Sequence, residues 1–86
     1  MKLNKNFIPH TSGEESLLAA TANADFSGVV RGNRTAGMVF ELLRSEITRD
    51  EIVTELGRQF NAPQEKIGQD VDRLLDALRK IGALDE

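Results

Sequence analysis

The chain has no cysteine, tryptophan or tyrosine, and only two prolines and one histidine among its 86 residues. Without cysteine there is neither a disulfide framework nor a thiolate metal site, and the fold has to rest on packing alone. With His10 as the lone imidazole and no thiol, the usual nucleophile–base pairs cannot be assembled, so no enzyme is expected. Glu14 with Glu15, and Asp70 with Asp72, have the pattern of solvated acids rather than an acid–base pair. No cofactor and no metal are expected. Four phenylalanines are the only aromatics, which leaves few platforms for base stacking. The formal net charge of −3 offers no general attraction to a phosphate backbone. No apolar run approaches the ~20 residues of a membrane span, and residues 1–6 lead into no segment of signal-peptide length. The expected location is the cytoplasm, with no membrane partner.

What is present is a balanced globular composition, 40% hydrophobic and 29% charged, in a length that supports one modest core and a single domain over residues 1–86. Before residue 33 the apolar residues come in short clusters: Phe7-Ile8, Leu17-Leu18-Ala19-Ala20, and Phe26 with Val29-Val30. Pro9, Gly13 and Asn23-Ala24-Asp25 separate them, which predicts three short antiparallel strands within about 5–33 joined by tight turns. After Asn33 the period changes. Ala36, Val39, Phe40 and Leu43 predict an amphipathic helix with Asn33 as its cap. Thr48-Arg49-Asp50-Glu51 has the form of a capping box, and Ile52, Leu56 and Phe60 supply the apolar stripe of a second helix. Pro63 permits a third to begin. Its stripe is Ile67, Val71, Leu74, Leu78 and Ile81, with Leu75 to one side, and Gly82 is the expected left-handed cap with Leu84 folding back on the last turn. Three strands followed by three helices, the latter within about 34–82, describe an α+β domain of winged-helix type.

Several specific stretches go further. Phe26-Ser27-Gly28-Val29-Val30-Arg31-Gly32-Asn33-Arg34-Thr35-Ala36-Gly37 is followed by Leu42-Leu43, by Thr48-x-x-Glu51-Ile52-Val53-x-x-Leu56, and by Val71-x-x-Leu74-Leu75-x-x-Leu78 ending at Gly82-Ala83-Leu84. This ordered set resembles the pyrroloquinoline quinone biosynthesis protein D family, small peptide chaperones also called precursor-peptide recognition elements. The resemblance covers almost the whole chain. One departure stands out: Gly32 occupies the place before the asparagine where the family commonly has leucine. Gly32 is expected to let the chain turn from strand into helix. A leucine there should stiffen the junction if φ is negative and destabilise it otherwise.

The resemblance implies binding rather than catalysis. Family members hold the leader of a ribosomally made precursor peptide as an added strand against the third helix. They present it to a modifying enzyme, often a radical S-adenosylmethionine enzyme, in quinone cofactor synthesis or another pathway. Strand addition needs an edge with free N–H and C=O groups, and residues 26–31 lack the proline and lysine that commonly block one. The candidate peptide-binding residues are Phe26, Ser27, Val29, Val30 and Arg31 on the strand, and Gly68, Val71, Asp72, Leu75 and Arg79 on the third helix. Gly68 would admit a partner's backbone, and Arg31 and Arg34 would meet acidic leader residues. An open edge recruits a second copy as readily as a ligand, so a homodimer is also compatible.

Other readings fit less well. Gly28 to Asn33 has neither the lysine–serine/threonine ending of a P-loop nor the G-x-G-x-x-G spacing. Ser27 lies in a strand-like stretch, whereas the serine of a phosphopantetheine carrier opens a long helix. The alternative is a winged-helix DNA-binding transcriptional regulator reading with its third helix. There Lys66, Arg73, Arg79 and Lys80 are cancelled by Glu65, Asp70, Asp72 and Asp76, a poor arrangement between phosphates, so no nucleic-acid partner is expected.

Overall fold

The computed structural model describes residues 1–24 and 28–86. Its elements run β1 (Lys2–Leu3), β2 (Phe7–Ser12), β3 (Glu15–Ala20), β4 (Val29–Gly32), α1 (Arg34–Leu42), α2 (Arg49–Gln59), α3 (Gln64–Lys80) and β5 (Leu84–Asp85). Three antiparallel strands in the order β2-β3-β4 are followed by three helices, the expected α+β arrangement. The ends of the expected third strand differ: among the described residues it is 29–32, and Phe26 and Ser27 lie outside them.

Local chemistry explains most of the boundaries. Ser12 pairs with Glu15 across a two-residue loop, and Gly13 has φ 61° while no described non-glycine residue has positive φ. That combination is a type II′ turn, whose twist matches the strands it joins. Pro9, expected between strands, lies inside β2 opposite Leu18, which is tolerated because β2 is an edge strand. Asn33 accepts from the Ala36 N–H and caps α1, and Thr48 and Glu51 complete the capping box of α2. At the end of α3, Gly82 has φ 74° and donates to the Arg79 carbonyl while Ala83 donates to that of Leu78, a Schellman closure.

Leu84 returns to α3 and packs half-buried against the core, and it also pairs with Leu3 in a two-stranded ribbon of β1 and β5. The Leu3 N–H also reaches the Leu43 carbonyl at 2.8 Å, so this ribbon ties both ends of the chain to the helical layer. Strands of two residues carry no period, and the sequence showed no sign of them.

The core lies between one face of the sheet and the helices. Leu18 enters it from β3, Phe40 and Leu43 from α1 and its end, Ile52 and Leu56 from α2, and Val71, Leu75 and Leu78 from α3. Leu75, expected beside the buried stripe, is therefore in it, at 1% exposure, while Leu74 is only half-buried. Both assignments satisfy a three-and-four spacing along a helix of about 100° per residue. The choice between them belongs to α2, which packs on the Gly68–Asp72 side of α3 and widens the buried arc toward Leu75.

Two glycines and a serine set β4 against α1. A Cβ at Gly32 would stand 2.6 Å from the Ala36 Cβ and 2.8 Å from the Ser16 Oγ. One at Gly37 would stand 2.8 Å from the Ser16 Cβ. Ser16, only 2% exposed, fits between them and donates its hydroxyl to the Asn33 carbonyl at 2.8 Å. Gly32 is not in the left-handed region, so the expectation that it serves to turn the chain is replaced by a steric one. Strand and helix approach here too closely for any side chain.

A candidate peptide-binding edge

The sheet has two edges, and they differ. On β2, Pro9 has no N–H, and its carbonyl accepts from Arg44 Nη2 at 3.2 Å. The neighbouring Phe7 N–H on that edge donates to the Asn4 carbonyl at 3.0 Å. Over residues 7–9 a strand arriving at β2 would meet a missing donor and groups already occupied, and unoccupied groups follow at Thr11.

On β4 the groups point outward and are unoccupied. Val30 faces Leu18 and Gly32 faces Ser16, and the Gly28 carbonyl accepts from Ala20, so the even residues direct their backbone groups to β3. Alternation then turns the N–H and C=O of Val29 and Arg31 to the outside. Among the described residues no other group bonds to them, and no proline or lysine guards the strand.

Past the end of this edge, from Asn33, a cleft opens between the start of α1 and α3. Its upper part, about 440 Å³, is lined by Asn33, Thr35, Ala36, Asp70, Arg73, Leu74 and Ala77. Thr35 and Asp70 continue it into a smaller hollow of about 150 Å³ against Leu56, Phe60 and Ile67. Leu74 and Ala36 make the floor apolar. Asp70 is held by Lys66 at 3.1 Å, while Arg73 makes no ion pair among the described residues.

The sequence profile of the family Coenzyme PQQ synthesis protein D (PqqD) matches residues 15–84. The chain belongs to this family. No curated protein matches it in sequence. Among solved structures, TbiB1 in complex with the TbiA(beta) leader peptide shares the fold, with a TM-score of 0.82 over 99% of this chain and 95% of that one at 16% identity. The resemblance read from the sequence and the winged α+β fold are thus both borne out.

In this PqqD-family chain the candidate residues separate into distinct places. Val29, Val30 and Arg31 stand together on the free strand, Val30 inward against the core and the other two outward. Phe26 and Ser27 fall outside the described residues. Val71 and Leu75 are core residues. Gly68 is buried under the Arg49 side chain, whose Nη2 would lie 2.8 Å from an added Cβ, so its missing side chain serves Arg49 rather than a ligand. That guanidinium grips Asp72 through Nε at 2.8 Å and Nη2 at 3.0 Å, a bidentate pair that holds the Asp72 carboxyl below the usual carboxylate range. Arg79 is engaged by Glu86 and Asp76. Gly68 and Asp72 therefore lie in the α2–α3 hollow, away from the β4 edge. The residues of α3 that do border the cleft, Asp70, Arg73, Leu74 and Ala77, were missed. The half-apolar stripe through Leu74 was the only signal for them, and it reads equally well as core.

A further hollow of about 390 Å³ sits across α1, between the β2–β3 hairpin and α2. It lies on the β2 side, at Thr11, away from the β4 edge, and of its acids Glu41 and Glu55 are paired with Arg44 and Arg58. Among the described residues no helix is long and apolar enough to cross a membrane.

Proposed function

We propose that this protein is a non-catalytic cytoplasmic chaperone that binds the leader of a ribosomally made precursor peptide and presents it to a modifying enzyme of the radical S-adenosylmethionine type. The leader joins β4 as a fourth strand and lays alternate side chains into the cleft against Leu74 and Ala77. The observation that carries this reading is the contrast between the two sheet edges: β2 is interrupted by Pro9 and Arg44, and β4 is free along Val29 and Arg31 and leads at Asn33 to a largely apolar cleft. Backbone bonds along such an edge supply affinity, and the pockets flanking it supply specificity. Holding the peptide beside its enzyme raises its effective concentration there, which is the gain a chaperone of this kind offers.

A DNA-reading role is disfavoured by the charges on α3. Lys66 is paired with Asp70 and Arg79 with Asp76 and Glu86, which leaves few cations to neutralise phosphates. To test the proposal, the isotope-labelled protein is titrated with the leader of the precursor peptide encoded beside its gene. Amide shifts should cluster at 28–33 and along 70–77. Shifts confined to the Gly68–Asp72–Arg49 side, or no shifts at all, would refute it.

A further inference from the structure

The outer face of the sheet, remote from the helices, carries a pattern that the cleft does not explain. Ile8 and Val29, at 54% and 52%, are the large hydrophobic side chains left most exposed among the described residues. The register aligns them: Ile8 faces Ala19, and Ala19 faces Val29, so the three form one apolar row across all three strands. The adjacent row is His10, Leu17 and Arg31. Arg31 is exposed and makes no ion pair among the described residues, unlike Arg44, Arg49, Arg58 and Arg79. Both rows run to the free edge and end there, at the two residues whose backbone groups are free.

We propose that the outer face reads the docked peptide as well as the cleft does, selecting a strand with an acidic residue opposite Arg31 and an apolar residue opposite Val29. This rests on the β4 edge being the peptide site. A fourth antiparallel strand places its residues directly across from Arg31 and Val29, two positions apart and on the same outer face. Its acid then lies beside the Arg31 guanidinium, and its apolar side chain extends the Ile8–Ala19–Val29 row by one member. The residue between them faces inward, opposite Val30, toward the cleft floor of Leu74 and Ala36. In the peptide's own direction the selected segment reads acid, apolar, apolar. A second copy of this chain is a poorer occupant, because its β4 carries Arg31 and no acid.

A display library of random peptides, selected separately on the wild type and on Arg31→Glu, tests this. The wild type should enrich Asp or Glu two residues before an apolar residue, and Arg31→Glu should enrich Lys or Arg at that same place. With one enriched peptide, Arg31→Gln should weaken binding about two- to fivefold, the worth of one cross-strand pair. Exchanging the peptide's acid for lysine should restore affinity on Arg31→Glu. If the enriched peptides shift the Val29 and Arg31 amides yet show no acidic preference, or if Arg31→Glu selects the same sequences, the outer-face proposal is overturned and edge docking stands. If enriched peptides leave those amides unmoved, or none is enriched, edge docking fails and this proposal with it.

Discussion

Adding a single methyl group at Gly32 tests how β4 is held against α1. At a position outside the left-handed region, glycine-to-alanine replacement ordinarily stabilises by about 0.4–1 kcal/mol, because the unfolded chain loses freedom. Here the new Cβ would lie 2.6 Å from the Ala36 Cβ and 2.8 Å from the Ser16 Oγ. The Ala36 Cβ is fixed to the first turn of α1 and cannot swing aside, and moving Ser16 strains its bond to the Asn33 carbonyl. Overpacking of this kind costs about 1–3 kcal/mol. The clash exceeds the entropic gain, so Gly32→Ala should destabilise by about 1–2 kcal/mol. For a domain of this size that lowers Tm by roughly 5–15 °C. Thermal melts followed by circular dichroism would read it. Combining Gly32→Ala with Ala36→Gly removes one of the two obstructions. The double variant should therefore be more stable than the sum of the single effects allows, by at least about 0.5 kcal/mol. A Gly32→Ala protein as stable as the wild type, or additive behaviour in that cycle, would refute the steric reading. By the same geometry, a leucine at this site destabilises even though φ is permissive.

Gly57 provides the opposite case: nothing lies within 4 Å of its would-be Cβ in α2, so Gly57→Ala should stabilise by about 0.5–1 kcal/mol in a urea melt. Leu74→Ala should weaken peptide binding in a calorimetric titration and leave the fold intact, whereas Leu75→Ala, in the core, should cost about 2–5 kcal/mol of stability. The Asp72 carboxyl is lowered from its ordinary 3.8 by the hydrogen bonds from Arg49. Its contribution is therefore complete above that value and is lost as pH falls through the lowered one. Asp72→Asn should reduce stability slightly at neutral pH, the pair being exposed and screened by salt. The difference from wild type should shrink as pH is lowered from neutral to below 3.8, and a difference independent of pH would refute the assignment.

Local signals made much of this fold legible. The Thr48–Glu51 capping box, the Asn33 cap and the Gly82 closure each depend on atoms a few residues apart, so they can be read from spacing alone. The strand clusters around Phe7, Leu17 and Val29 were legible for the same reason, since a two-residue period needs only a few positions. The free edge was partly legible, because the absence of proline and lysine at 29–32 is itself sequence information.

What the sequence determined by itself is the order of the three sheet strands and three helices, their caps and the identity of the strand left without guards, all consequences of short-range chemistry. What only the tertiary structure decided is which side of α3 is buried, which lines the cleft, and what Gly32 is for. The spacing of Ile67, Val71, Leu74, Leu75 and Leu78 admits two buried arcs, and the position of α2 chooses the one containing Leu75 and leaves Leu74 to the cleft. Gly32 is needed because Ser16 and Ala36, distant from it or a turn away in sequence, converge on it in space. A close approach between separate elements has no period and no local signature, so nothing short of the packed chain reveals it.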